Sequence, residues 1–486
     1  MDDVLYNECT HLYNENKVIN KLFSILAENE VNECILKYFN KRILINNKHF
    51  MTYFYTYIMS KYRLFLNNII SNNSLYLNSE DIINLFYNHL NLRRYNEHRT
   101  ININRLKAAD FIEKYNKNPE KVSDFELKET IFGQVFQSLK DLKGENFFLN
   151  KNGRLFKVNL IGENATDAGG PYHEIISSMC KDLESGYINL FIKTPNNNSD
   201  KDYLQDKYLV NPYCNKDIHK KAYEFIGKLM VTAISSGEVL NLNLDFLIWK
   251  GILEKEIAFN DLKAIDINCF NLISGLESDL KFSDKDNIIN KDLKFNISDS
   301  NNNIIELIQN GNEISVNIDN VKKYIELVKS FKINEFNNQI DYIKQGFYSV
   351  MPIDFVKVLN LEQLEELICG KNKIDVEYFK SITKYVPESL KNSDLIKWFW
   401  KWFENIREED KVKYLKYVSG RTRLPPKSFN LNNYHTIVSS KNDNKNFLPH
   451  SQTCFFTLSL PNYETYDIFV SKIQSAIIEC ADIVDY

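Results

Sequence analysis

The sequence predicts an α+β protein, mostly helical and built from more than one domain. The chain has 486 residues, more than one hydrophobic core usually holds, so we expect two to four domains or lobes. The first 118 residues contain neither glycine nor proline, and their apolar residues recur every three or four positions, which favours helices. Near the C-terminus the apolar residues alternate from Cys454 to Leu460, which indicates a half-buried strand.

Composition and charge exclude several classes of protein. The chain has 60 basic and 64 acidic residues and a net charge of -4, so no global positive field indicates nucleic acid as a partner. Its eight cysteines stand singly, with no CxxC pair and no metal-ligand spacing, which indicates a reducing compartment without structural zinc. We therefore expect no metal and no cofactor.

The sequence suggests neither a targeting segment nor a membrane span. It begins Met1-Asp-Asp, which is acidic where a secretory signal would be basic. The richest aromatic stretch, Phe50 to Met59, is too short and too polar to cross a bilayer. We predict a cytoplasmic protein, with the nucleus as the alternative.

Residues 1–98 are expected to form a helical N-terminal extension. Ile19, Leu22, Phe23 and Leu26 give one apolar helical face. The segment offers no residues with evident chemistry, so we expect a helical scaffold that extends the next domain. A module that recruits a substrate is the alternative.

Three features farther along the chain predict packing. Gly169 and Gly170 allow a tight turn before a helix that Pro171 can begin, and the absence of a GxGxxG or GK[S/T] pattern argues against a phosphate cradle. A helix is expected over residues 222–233, where apolar side chains share one face. Cys369, in an apolar context, is expected to be a packed core residue.

A linker between domains is predicted at residues 383–389. Pro387 cannot continue a helix, and polar residues surround it. We therefore predict a hinge at Val386, Pro387 and Glu388.

Cys454 is the candidate nucleophile. It follows Thr453 where a loop containing Pro449 meets the alternating run, a position that would expose a thiol at the mouth of a strand. The alternative is structural, because a lone cysteine in an intracellular chain is usually a small buried hydrophobic residue.

The segment around this cysteine resembles the active-site segment of HECT-type ubiquitin ligases. The matching residues are Leu448-Pro449, Thr453-Cys454-Phe455 and Leu458-x-Leu460-Pro461-x-Tyr463. Further segments similar to the family, in family order, are residues 131–137, 162–174 and 417–426. The resemblance covers about residues 100 to 486.

The resemblance implies a bilobal fold. Residues 99–385 would form a mostly helical N-lobe, in which about 246–330 form a small strand-containing subdomain that docks the ubiquitin-conjugating enzyme. After the hinge at 386–389, residues 390–486 would form a compact α/β C-lobe. Phe270, Leu272 and Ile273 are the expected docking residues.

The resemblance also implies a chemistry. Cys454 would accept ubiquitin from the conjugating enzyme as a thioester and pass it to a lysine of a protein substrate, which the sequence does not identify. The family often has a histidine two residues before its cysteine, whereas this chain has Gln452 there and His450 two residues earlier. We expect His450, Gln452 and Thr453 to support the nucleophile.

The C-terminal tail also departs from the family, which often has a phenylalanine where this chain has Ile483. We expect Ile483 to act as an apolar anchor and Asp482 and Asp485 to orient the incoming lysine. A third departure is His173, which stands before Glu174 where the family commonly has an arginine, so we expect a weakened local ion pair.

Two other classes of protein remain as alternatives. A non-catalytic scaffold would keep the fold and bind ubiquitin or its conjugating enzyme. A cysteine protease or deubiquitinase would need a base histidine and an orienting Asn or Asp near the thiol. The chain has eight histidines, and none stands in a recognisable companion motif.

Overall fold

The computed structural model describes residues 99–118, 126–144, 147, 149, 153–163, 170–198, 207–281, 292–351, 356, 359–371, 373–419, 421, 423–424, 435–440 and 447–483. The predicted helical extension over residues 1–98 and the tail residue Asp485 lie outside this part of the chain.

The described residues combine helices with short strands. Helices α1 to α13 are, in chain order, Arg105–Lys117, Ile131–Leu139, Gly170–Glu184, Asp217–Ser236, Phe246–Ile252, Ile267–Lys281, Val321–Asn334, Asn337–Val350, Leu361–Cys369, Val376–Ser381, Asp394–Asn405, Glu408–Ser419 and Tyr466–Ile483. Strands β1 to β10 are Thr100–Ile103, Lys157–Leu160, Phe191–Lys193, Tyr208–Val210, Asn296–Ser298, Ile304–Glu306, Thr383–Val386, His435–Ser439, His450–Gln452 and Thr457–Leu460. This mixture agrees with the predicted α+β class.

Three hydrophobic cores organise these elements. The first core runs from Ile101 to Cys369 and contains α1 to α5, α8 and α9. The second core, from Leu262 to Val328, is built by α6, α7 and the antiparallel pair β5–β6. The third core, from Ile374 to Ile477, contains α10 to α13 around the sheet β7-β8-β10-β9.

Helix α4 is the centre of the first core. It covers the helix predicted at residues 222–233, is buried along most of its length, and ends at Gly237, whose φ of 69° suits a left-handed C-cap. It packs against α8 at two glycines. A Cβ added at Gly227 would lie 2.0 Å from the carbonyl oxygen of Ile343, and one added at Gly346 would lie 1.9 Å from that of Glu224. The two backbones therefore approach more closely than any other residue would allow.

The second core begins later than predicted. The small subdomain was expected from about residue 246, but α5 belongs to the first core, where Trp249 and Ile252 are fully buried. The residues that pack the second core start near Phe259. Helix α5 joins the first core because it packs against α8.

The third core contains a mixed four-stranded sheet. Strands β7, β8 and β10 are parallel to one another, and β9 adds to β10 in the antiparallel direction. Trp402 and Phe399 of α11 pack beneath it with Phe469 of α13. Helices α11 and α13 are thus parts of the same core.

The hinge predicted at Val386, Pro387 and Glu388 was wrong in its position. Strand β7 pairs along its whole length with β8, from Thr383 opposite His435 to Val386 opposite Val438. Pro387 follows an edge strand of the sheet, a place where proline is tolerated. The change of core falls earlier, between Cys369 and Ile374, so the boundaries expected at 385 and 390 also move.

No helix among the described residues is long and apolar enough to cross a membrane.

Candidate active site around Cys454

Cys454 lies in a short turn at the tip of a hairpin. The 3-10 turn Thr453–Phe455, here called the cysteine turn, connects β9 to β10. Gln452 pairs with Thr457 across the base of the turn. The chain leaves it through Phe456, whose φ is 49°. The strand thus begins three residues after the cysteine and not at it, although the predicted burial of Phe456, Leu458 and Leu460 is confirmed.

The residues beside Cys454 face solvent. Gln452 and Thr453 are exposed, and the Phe455 side chain is 57% exposed. His450, in β9 opposite Ser459, is also exposed. Two tyrosine hydroxyls fix the chain that leads into β9: Tyr417 donates to the carbonyl of Pro449, and Tyr463 donates to the carbonyl of Phe447.

A buried histidine supports the turn from below. His435 has no exposed surface, and its ring lies 5.1 Å from that of Phe456. Its Nδ1 is 2.9 Å from the hydroxyl of Thr383, and its Nε2 is 2.8 Å from that of Tyr414. Thr383 already donates to the carbonyl of Phe379, so it accepts from Nδ1–H and Tyr414 donates to Nε2. Burial lowers the pKa of His435 to about 3, so the ring is neutral.

The cysteine turn lies between two helices from different cores. It packs against α12 of the third core and α3 of the first core. The candidate nucleophile is therefore placed at the boundary between these two cores.

A charged triad crosses this boundary near α3. We call His173, Glu238 and Arg421 the bridging triad. Nη2 of Arg421 donates to both carboxylate oxygens of Glu238 at 3.1 Å, and Nδ1 of His173 contacts the same carboxylate. The exposed fractions of the side chains are 12% for Arg421, 7% for Glu238 and 21% for His173.

Glu238 is ionised despite its burial. Burial raises the pKa of its carboxyl group, but the charge of Arg421 and the contact with His173 outweigh that effect and hold the pKa at about 2. The carboxylate is thus a stable anion that binds Arg421 across the boundary and His173 on its own side.

A second set of contacts joins the same two cores. Arg423 donates to the side-chain oxygen of Asn243, and its Nη1 lies 3.7 Å from Glu365. The backbone N–H of Lys371 donates to the carbonyl of Leu424 at 3.2 Å. The segment that precedes β8 is therefore fixed against the first core by side chains and by backbone.

The expected weakening at His173 takes a different form. Glu174 pairs with Arg105 of α1, which also binds Glu163. His173 points instead to Glu238. His173 and Glu174 are thus neighbours in the chain with different partners.

The predicted tail residues lie at the end of the last helix. Helix α13 includes Asp482 and ends at Ile483. Ile483 was expected beyond that helix and instead forms its final residue. The roles of these two residues and of Asp485 stay predictions.

The expected docking residues are not all on the surface. Ile273 is fully buried in the second core, so its prediction as a docking residue was wrong. Its apolar side chain serves packing. Phe270 and Leu272 are partly buried, and Phe270 stacks on Phe259 with ring centroids 5.2 Å apart. Exposed apolar surface near this core comes from Ile304, which is 67% exposed, and Ile314.

The other described cysteines are packing residues. Cys180, Cys214, Cys269 and Cys369 are buried free thiols. Burial raises the pKa of Cys369 to about 12, so its thiol stays protonated, and the prediction of a packed residue is confirmed. In the part of the chain that the structure describes, no three His, Cys, Asp or Glu side chains cluster in a way that could hold a metal ion.

Comparison with known proteins identifies the class. A model of the HECT-domain (ubiquitin-transferase) family matches residues 177–483, so the chain belongs to the HECT-domain family. This match includes α4, the part of the first core from residue 177 onward, the second and third cores, and the cysteine turn.

Individual relatives agree with the family. The chain is 28% identical over 357 residues to mouse E3 ubiquitin-protein ligase HERC2, a match of 73% of this chain and 7% of the relative. It is 29% identical over 378 residues to human E3 ubiquitin-protein ligase NEDD4, covering 75% of this chain and 27% of the relative. Against mouse NEDD4 it is 30% identical over 329 residues, covering 66% and 36%. The chain thus spans well under two thirds of the length of these relatives.

Sequence reasoning missed the groups that cross the boundary. Arg421 and Arg423 lay in a segment noted only as similar to the family, and Glu238 followed a helix without any mark of function. The available signal was the pair Arg421 and Arg423 in a short segment that contains glycine and proline. Glu238, the acidic partner of Arg421, is 183 residues away along the chain.

Proposed function

We propose that the chain is a ubiquitin-protein ligase that carries ubiquitin as a thioester on Cys454. The observation that carries the proposal is the position of Cys454 in the family segment, at the tip of a hairpin whose neighbouring residues are exposed. The family match, which includes this hairpin, supports it.

The reaction has two acyl transfers. The Cys454 thiol loses its proton, and the thiolate attacks the carbonyl carbon of the thioester on the conjugating enzyme. A new C–S bond forms and the old C–S bond breaks. The cysteine of the conjugating enzyme leaves as a thiolate and takes up a proton, which balances the one lost by Cys454. A neutral lysine amine of the substrate then attacks the Cys454 thioester. The C–N bond forms, the C–S bond breaks, and the proton lost from nitrogen is taken up by the departing Cys454 thiolate.

The first transfer needs little help from neighbouring groups. A free cysteine has a pKa of about 8.5, so a useful fraction is thiolate near neutral pH. Transfer of an acyl group from one cysteine thiol to another is close to isoenergetic, because one thioester replaces another. A reachable thiol and a docked donor therefore suffice, and we propose His450, Gln452 and Thr453 as groups that shape the approach.

The architecture supports a division of labour. We propose that the first and second cores together correspond to the N-lobe of the family and the third core to its C-lobe. The flexible joint then lies between Cys369 and Ile374, where the hydrophobic cores change. Motion there would let one cysteine meet a donor and then an acceptor.

The first test is loading. With ubiquitin, its activating enzyme and a conjugating enzyme, the chain should gain the mass of one ubiquitin, and a thiol reductant should remove it. Cys454→Ser should abolish the reductant-sensitive adduct. The control is Cys214→Ser, whose hydroxyl can keep the hydrogen bond to the carbonyl of Asn189. An adduct that persists in Cys454→Ser would refute the assignment of the nucleophile.

The same experiment separates the alternatives. A non-catalytic scaffold would bind ubiquitin or the conjugating enzyme without any covalent adduct. A protease would hydrolyse a ubiquitin ester or amide. His435 is not available as the base that a cysteine protease needs, because both of its ring nitrogens are hydrogen-bonded to Thr383 and Tyr414 inside the core.

We propose that the conjugating enzyme docks on the second core. Ile304, in the edge pair β5–β6, is 67% exposed, and Ile314 lies on the segment that follows. Exposed apolar residues of this kind commonly mark a protein interface. Phe270 and Leu272 remain proposed contributors at its margin.

Ile304→Asp should lower the rate of Cys454 loading at limiting conjugating enzyme by about tenfold or more, because a charge would replace an apolar contact. The matched control is Ile161→Asp, an exposed apolar residue of the first core. Equal loading by Ile304→Asp and the wild type, across a titration of conjugating enzyme, would rule out this docking surface.

A further inference from the structure

The bridging triad is the strongest group outside the nucleophile itself. Its three side chains come from separate segments: His173 from α3, Glu238 from the turn after α4, and Arg421 from the segment after α12. Two belong to the first core and one to the part of the chain that includes the third core. A single carboxylate thus joins groups from the two cores.

The triad and the cysteine turn are connected through the same two helices. Helix α3, which carries His173, is one of the two helices against which the cysteine turn packs. Helix α12, which leads to Arg421, is the other. Glu238 therefore connects the ends of both helices that support the turn.

The energetics favour a role in orientation. A buried ion pair gains little net stability, because desolvation offsets the attraction, but removal of one partner leaves an uncompensated buried charge, which is strongly unfavourable. Arg421 and Glu238 are both largely buried. Each is therefore well placed to fix one arrangement of the cores and to make that arrangement sensitive to a single change.

The surroundings distinguish between the two transfers. Neither helix that supports the cysteine turn belongs to the second core, where we propose that the conjugating enzyme docks. The arrangement held by the triad therefore concerns the contact of the cysteine turn with the first core and not the proposed docking surface.

We propose that Glu238 is a positioning residue for discharge: it holds Arg421 and His173 so that the cysteine turn rests on α3 of the first core. The inference rests on the proposed function. Glu238 contacts neither ubiquitin nor lysine in this scheme, and it acts through the position of the third core.

The test separates loading from discharge. The full chain is loaded with ubiquitin, the conjugating enzyme is quenched, and discharge to free lysine and to a lysine-containing peptide is followed in a single turnover. Glu238→Gln should load at a rate within about twofold of the wild type and discharge at least about tenfold more slowly. A tenfold slower discharge corresponds to an activation free energy that is higher by about 1.4 kcal/mol.

A charge reversal tests the ion pair directly. Glu238→Arg alone and Arg421→Glu alone should each discharge slowly, and the double variant should recover part of the rate, because the attraction is restored in the opposite sense. The control is Glu404→Gln, which removes an ion pair with Lys380 inside the third core. It should load and discharge as the wild type does.

The outcomes are distinct. Normal discharge by Glu238→Gln, or no recovery in the double variant when both single variants are slow, would overturn the positioning role while leaving the proposed function intact. Absence of a Cys454 adduct in the wild type would overturn the proposed function. A parallel loss of loading and discharge in Glu238→Gln would also contradict the inference, since it would indicate a general structural role.

Discussion

At the scale of single residues, His435 shows how one buried polar group shapes the site. Its neutral ring satisfies the hydroxyls of Thr383 and Tyr414 and stacks on Phe379 with centroids 4.6 Å apart. It joins β7, β8 and α12 under the residue that follows the cysteine turn. A protonated ring would have a second N–H facing a hydroxyl and a charge without a counter-ion.

His435 should make the third core sensitive to acid. Its folded pKa of about 3 lies below the value of about 6.5 expected for an unfolded chain. Between these values His435 binds one more proton in the unfolded chain, so its contribution to the free energy of unfolding falls as pH falls, by at most about 1.4 kcal/mol per pH unit. Urea unfolding at pH 7, 6 and 5 measures the slope.

His435→Gln provides the comparison, because its amide can donate to Thr383 and accept from Tyr414 but does not titrate. Relative to this variant, the wild type should lose stability as pH falls over this range. The buried acids Glu184 and Asp245, whose pKa values burial raises to about 7, act in the opposite direction in both proteins and cancel in the difference. Parallel slopes would contradict this account.

At the scale of elements, the crossing of α4 and α8 sets the shape of the first core. Gly227 and Gly346 allow the two helices to meet backbone to backbone. Helix α8 also contacts α5, so this crossing positions the elements that carry the second core.

Gly346→Ala should destabilise the protein by about 3 kcal/mol, because the new Cβ would meet the backbone of Glu224 and the helices would have to separate. The matched control is Gly251→Ala in α5, where the nearest atom is the Cγ2 methyl of Ile340. A side chain can move more cheaply than a helix backbone. Thermal unfolding of both variants measures their losses of stability. Equal losses would show that contact with the helix backbone does not make the substitution at Gly346 more costly.

At the scale of the whole molecule, the sequence alone predicted features that depend on nearby residues and missed those that depend on contacts between distant segments. The burial of Phe456, Leu458 and Leu460, the extent of α4 and the packing of Cys369 followed from spacing and composition. These features depend on neighbours in the chain, which one sequence displays.

The errors arose where distant segments decide. Pro387 was interpreted as part of a linker because a proline can either follow an edge strand or interrupt a helix. Only the pairing of β7 with β8 distinguishes these two cases. Ile273 looked like a docking residue because the buried and the exposed face of an amphipathic helix read alike. Glu238 and Arg421 have no pattern in common, and only the fold brings them together.

The polarity of the contacts between the first and third cores has a consequence for solvation. The groups that meet there are guanidinium, carboxylate, imidazole, amide and backbone groups, at Arg421, Glu238, His173 and the pair Arg423 and Asn243. Water can replace each of these partners with a hydrogen bond of its own. When these contacts separate, they expose groups that water solvates well, so breaking and re-forming them does not require apolar surface to be exposed at these residues.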